Sequence, residues 1–238
     1  MEDFRNILFL DIETVACVPN YSALDERLKT QWARKANFFR QRDESLTDED
    51  LFHERAGIYA EFGKVVVIAI GKLSVNEAGE RVLKTRSFAH HNELVLLTEF
   101  RNVLEKMDQS QVRFCAHNGK EFDYPYLSRR MLVQGLPLPE SLNLTGKKPW
   151  DINHLDTLEM WKFGDYKHYT SLDLLATLFN IPTSKGDMDG SQVNEVYYRQ
   201  GDLKKIAEYC VGDVVVVAQL FLRLKGCPLV ETRNILSA

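Results

Sequence analysis

The stretch "ILFLDIETV", Ile7–Val15, decides how the chain is read. Four apolar residues run into two carboxylates, Asp11 and Glu13, one residue apart. Side chains alternate along a strand, so positions i and i+2 share a face, and both acids fall together at the end of a strand predicted over about residues 6–12. Two like charges on one face repel, and burying them is costly unless a cation lies between them. The same spacing also fits a strand end with solvated acids, so the pair alone leaves both readings open.

Outward from this stretch, the Val- and Ile-rich runs 64–73 ("KVVVIAIGKL") and 81–88 ("RVLKTRSF") predict two further strands. The period then changes: 91–107 has helical spacing, 112–116 returns to strand, and 121–135 is helical again. Helices are also predicted over 157–163, 171–180, 191–199 and 203–225, the last with Asp202 as N-cap and Gly226 as stop. Strands followed by alternating strand and helix indicate an α/β protein built on a mixed sheet. No linker or low-complexity segment divides the 238 residues, which predicts a single domain over 1–238.

Residues 16–62 read as a helical insertion after the first strand. From Arg27 to Arg42 they carry Arg27, Lys29, Arg34, Lys35, Arg40 and Arg42, with Trp32, Phe38 and Phe39 interleaved and no acid. One reading is an amphipathic insertion whose aromatics pack on the body. The other is a lid that tracks phosphates and stacks bases.

A formal net charge of −4 and a pI near 5.9 exclude a wholesale basic surface, so any polyanion contact is local. Cys17, Cys115, Cys210 and Cys227 are widely spaced and form no CxxC, which excludes a zinc knuckle or disulfide framework and suits reduced thiols. The N-terminal "MEDFRNILFL" enters a strand directly, and the longest apolar runs, such as "VVVIAI" at 65–70, are far too short to span a bilayer. A cytoplasmic protein without a membrane partner is expected.

Two further stretches carry chemistry. "AHNGKEFDYPYLSRR", Ala116–Arg130, sets a third acid, Asp123, at a helix start beside Asn118 and Phe122; alone, Asp123 could be an ordinary first-turn acid favoured by the helix dipole. "AEYCVGDVVVVAQLFLRL", Ala207–Leu224, places Tyr209 and Asp213 on one helical face beside an apolar stripe that includes Cys210. Taken in order, D-x-E, N-x-x-x-F-D and Y-x-x-x-D resemble the DEDD superfamily of 3′-5′ exonucleases, whose ribonuclease H-like fold gathers four acids from such elements. Tyr209, four residues before the last acid, marks the DEDDy branch; the other branch would carry His at the place of Glu208. "DIET", "HNGKEFDYPYL" and "YCVGDV" look most like the proofreading domains of family B DNA polymerases and the stand-alone bacterial exonucleases related to them, over about residues 5–225.

The resemblance implies a metal-dependent exonuclease that trims the 3′ end of single-stranded DNA and releases 5′-mononucleotides. All-carboxylate ligation suits hard cations, so Mg²⁺ or Mn²⁺ is expected, two ions in this family. Asp11, Glu13, Asp123 and Asp213 would hold them, with Tyr209 orienting the attacking water. Asn118 and Phe122 would touch the terminal nucleotides, and Asp156 would serve through a structural hydrogen bond. RNA as the substrate, or a catalytically silent nucleic-acid-binding module on the same fold, are the alternatives. His117 reads as a scaffold residue and His90-His91 as a helix entry. Lys185, Arg129 and Arg130 read as phosphate holders or as solvated surface.

Overall fold

The computed structural model describes residues 4–41, 43–165, 169–183 and 188–237, so Lys185 and Arg42 lie outside the described residues. The elements in chain order are β1 (Ile7–Ala16), α1 (Glu26–Arg40), α2 (Asp48–Arg55), β2 (Gly63–Val75), β3 (Arg81–Ala89), α3 (Glu93–Leu104), β4 (Arg113–Ala116) and α4 (Asp123–Val133). They continue with β5 (Leu155–Asp156), α5 (Thr157–Lys162), α6 (Leu172–Leu178), α7 (Val193–Glu195), α8 (Leu203–Leu224) and β6 (Ile235–Ser237). The six strands form one mixed sheet in the order β5-β4-β1-β2-β3-β6. β1 runs antiparallel to β2 and parallel to β4.

The period of two in β1 sorts its side chains between two cores. Ile7, Phe9 and Val15 pack with α8, whereas Leu8, Leu10 and Ile12 pack with α3 and α4. Asp11 and Glu13 share the parity of Ile7 and Phe9 and therefore lie on the α8 side. β1 is longer than its sequence predicts: it continues to Ala16, with a register shift between Glu13 and Thr14, so the two acids sit inside the strand rather than at its end. Antiparallel pairing to β2 holds this extra length. The parallel pairing to β4 stops at Phe9 and Cys115, leaving the other flank of β1 open beside the acids.

α8 crosses the sheet at close range. Gly71 of β2, paired with Phe9, makes this possible: a Cβ there would stand 2.8 Å from Cγ1 of Val214. The helix starts under an Asp202 cap, whose side chain accepts the Lys205 N–H at 2.9 Å, and stops before Gly226, where φ is +66°. Both boundaries follow the sequence reading. The segment expected as one helix over 191–199 is instead α7 followed by a π-helical turn over Val196–Gln200.

The insertion packs as an amphipathic unit. Trp32 is fully buried against Phe52 and Phe62 and donates its indole N–H to the Asp48 carbonyl at 2.8 Å, tying α1 to α2. Its basic residues divide. Arg40 pairs with Asp48, Lys29 with Glu26, and the Lys35 ammonium lies 3.6 Å from the centre of the Tyr59 ring. Arg27 and Arg34 are exposed, as is Phe38, which lies on the same outward face of α1.

Candidate active site

Three separate elements bring the acids together. β1 supplies Asp11 and Glu13, the first turn of α4 supplies Asp123, and the middle of α8 supplies Asp213. The loop between β4 and α4 is folded tightly enough to deliver Asp123. Asn118 takes a left-handed backbone with φ +63°, and a Cβ on Gly119 would stand 2.5 Å from that of Ala116. Asp156, at the end of β5, accepts four backbone N–H groups: Asn118 at 3.0 Å, Lys120 at 3.1 Å, Leu158 at 2.9 Å and Glu159 at 3.4 Å. It anchors the loop and caps α5, which agrees with the hydrogen-bonding role expected for it. The Asp123 carboxylate accepts the backbone N–H of Ile12, between Asp11 and Glu13, where β1 has lost its β4 partner.

The electrostatics follow from this convergence. Asp11 and Glu13 are both held well above the usual carboxylate range, first by burial and then by their acidic neighbours. Those neighbours are Glu13, Asp123 and Asp213 for Asp11, and Asp213 and Asp123 for Glu13. Burial pushes Asp123 up to about 7. Tyr209 bonds the Asp213 carboxylate through its hydroxyl, and burial with Asp213 beside it drives the phenol far above its ordinary value.

A cleft of about 200 Å³ opens here, lined by Asp11, Tyr209 and Asp213 among others. Phe122 lies at the start of α4, its ring 5.3 Å from that of Tyr126, and Asn118 is half-buried in the anchored loop. His117 donates from Nε2 to the Thr170 carbonyl at 2.8 Å and its Nδ1 bonds Thr157 Oγ1 at 2.9 Å, so it is scaffold as expected, although it also lines the cleft. Arg130 is not a phosphate holder: it is buried and paired with Glu93. Arg129 is exposed.

Sequence reasoning missed Cys210. Counted there as part of an apolar stripe, its thiol lies 3.2 Å from Asp11 Oδ2, and the ligand atoms of Asp11, Glu13 and Cys210 all fall within 4.8 Å of one another. Its place between Tyr209 and Asp213 was the only available signal. Tyr169, also on the cleft, stands outside every motif.

A family model described as "Predicted 3'-5' exonuclease related to the exonuclease domain of PolB" matches residues 58–228. The chain belongs to this family. The matched residues include Asp123, Tyr209 and Asp213, whereas Asp11 and Glu13 precede them. Among solved structures, the chain is similar to the family B DNA polymerase from the hyperthermophilic archaeon Pyrobaculum calidifontis, with a TM-score of 0.54 and 15% identity. That likeness covers 91% of this chain and 24% of the polymerase, so the chain spans about a quarter of that protein's length. No curated protein matches the chain. The fold agrees with the α/β, ribonuclease H-like mixed sheet flanked by helices that the sequence predicts. Among the described residues no helix is long and apolar enough to cross a membrane.

Proposed function

We propose that the chain is a divalent-metal-dependent 3′-5′ exonuclease acting on single-stranded DNA. One observation carries this reading: Asp123 and Asp213, from two further elements, both act on the buried pair Asp11 and Glu13 of β1 and disfavour its charge, with Asp11 and Asp213 on the wall of one cleft. The acids fit Mg²⁺ or Mn²⁺, because carboxylate oxygens suit hard cations; the Cys210 thiol beside Asp11 and Glu13 is a soft donor and stays protonated, pushed well above its ordinary value by burial. Asp11, Glu13, Asp123 and Asp213 would hold two such ions. When bound, these supply an activated water and charge stabilisation at the phosphodiester being cut.

The protein's own groups do the rest. Tyr209, whose phenol stays protonated at neutral pH, serves as a hydrogen-bonding guide for the water rather than as a base. Asn118 and Phe122 border the place where the terminal nucleotides would lie, by hydrogen bond and by ring contact. The products are 5′-mononucleotides. The domain is read as one unit over 1–238, working in the cytoplasm.

The test is hydrolysis of 5′-labelled oligonucleotides in Mg²⁺ or Mn²⁺, with DNA, RNA, blunt duplex and mismatched duplex run in parallel. Stepwise shortening, fastest on single-stranded DNA, is expected. Asp11→Ala and Asp213→Ala each lose about 10³-fold or more in rate while remaining folded. Survival of the label on every substrate in both metals overturns the enzyme reading, and faster loss of RNA reassigns the substrate.

A further inference from the structure

A second concavity, of about 500 Å³, lies against the same loop that builds the acid cleft. Lys120, Trp150 and Lys162 line it, and nothing in the proposed chemistry uses them. Trp150 is 75% exposed and Phe163, next to Lys162, is 87% exposed. Two large aromatic side chains kept in water beside lysines need a reason, because a packed fold ordinarily buries such rings. Phe163 moreover closes α5 in the left-handed backbone region (φ 45°, ψ 35°), a position usually held by Gly or Asn.

The two concavities border one loop. His117 lines the acid cleft and Lys120 lines the groove, three residues along a loop whose ends can be at most about 11 Å apart. The same loop is pinned to α5 through Asp156, and α5 carries Lys162 into the groove. Lysines are not the only charges present: Glu121 and Glu159 also line it, and Glu159 pairs with Lys120 at 2.8 Å. Lys148 lies over the Trp150 ring, 5.3 Å from its centre, on the exposed chain leading into the groove.

We propose that this groove binds the single strand upstream of its 3′ end, stacking bases on Trp150 and Phe163 while Lys148 and Lys162 meet its phosphates. Exposed aromatic faces interleaved with cations are the chemistry that holds single-stranded nucleic acid without reading its sequence. A strand whose end enters the acid cleft passes over the Asn118 loop and into the groove. The inference rests on the exonuclease reading only for which strand arrives there.

The experiment compares two lengths of fluorescein-labelled DNA, a trinucleotide and a 15-mer, with the matching RNAs as a second arm. Affinity is measured on Asp213→Asn protein, so that the strand stays whole. Adding Trp150→Ala and Phe163→Ala weakens 15-mer binding roughly 10- to 100-fold, the loss of one or two stacked bases, and leaves the trinucleotide unchanged. Adding Lys148→Gln and Lys162→Gln instead makes the salt dependence of 15-mer binding shallower by about 1.4 in logarithmic slope. Unchanged 15-mer affinity in the aromatic variant overturns the proposal. Equal loss on both lengths also overturns it, because the substitutions then act through the cleft. If the unsubstituted chain hydrolyses neither length, the catalytic reading fails, while a length-dependent loss of binding still supports the groove.

Discussion

Among the described residues, Glu93 and the Asp11–Glu13 pair are buried carboxylate centres that treat the charge in opposite ways. Glu93, at the start of α3, meets a full set of donors. Arg130 reaches it through Nε at 2.9 Å and Nη2 at 2.5 Å, the Val65 N–H at 2.7 Å, and Gln134 Nε2 at 2.6 Å. Arg130 spends its remaining nitrogen on the Ala60 carbonyl at 2.8 Å. At the other centre, the charged groups that act on Asp11 and Glu13 are all acids. One centre is closed by its own residues and joins α3, α4 and β2. The other is left incomplete, and a buried charge that the fold does not neutralise is a place where something else is meant to bind.

That contrast breaks first at the closed centre. Arg130→Met, which leaves Glu93 buried beside an apolar side chain, should cost about 3–5 kcal/mol of stability, read from urea unfolding. Adding Glu93→Leu should recover most of that loss; a double variant as weak as the single one would mean that the pair is not a self-contained unit.

The open centre should respond with the opposite sign. Asp123 titrates at about 7 in the fold against an ordinary 3.8, so the folded chain holds the proton more tightly. Its contribution to metal-free stability is complete below about pH 4 and is lost as pH rises towards 7, at roughly 1.4 kcal/mol per pH unit for one proton. Thermal melts in EDTA should therefore decline over that window, and Asp123→Asn should flatten the decline. Added Mn²⁺ should bind more tightly as pH rises, since the metal competes with the proton. A metal-free melting temperature that rises from pH 4 to 7 in step with Asp123 would remove the premise.

Smaller effects sharpen the picture. Tyr209→Phe should slow hydrolysis about tenfold with Mn²⁺ affinity, measured by calorimetry, little altered; an unchanged rate takes Tyr209 out of the mechanism. Arg34→Glu, on the outward face of α1, should weaken oligonucleotide affinity only a few-fold and reduce its salt slope if that face meets phosphates. Lys35 is unsuited to the same test, because its ammonium covers Tyr59.

Much of this was legible beforehand, for local reasons. Alternation in "ILFLDIETV" and the i, i+4 spacing of Tyr209 and Asp213 assign side chains to faces using neighbours a few residues away. The capped ends of α8 are equally local. What escaped depends on partners far apart in the chain. β5 and β6 are two- and three-residue strands that exist because β4 and β3 offer open edges, and neither has a hydrophobic pattern of its own. The extension of β1 beyond residue 12 is held by β2, and the sequence offers Arg130 only as a phosphate holder or solvated surface because Glu93, 37 residues earlier, is invisible to any local window. The groove escaped as well, since neither Trp150 nor Phe163 belongs to a motif and their exposure depends on the fold around them.

Gly71 gives the contact between sheet and helix a mechanical meaning. It stands where a missing methyl lets Val214 settle, one residue along α8 from Asp213 and one turn from Cys210. The depth at which the helix seats thus fixes how far Asp213 is from its counterparts on β1. The seat of the helix that carries Asp213 is set by a methyl that is not there.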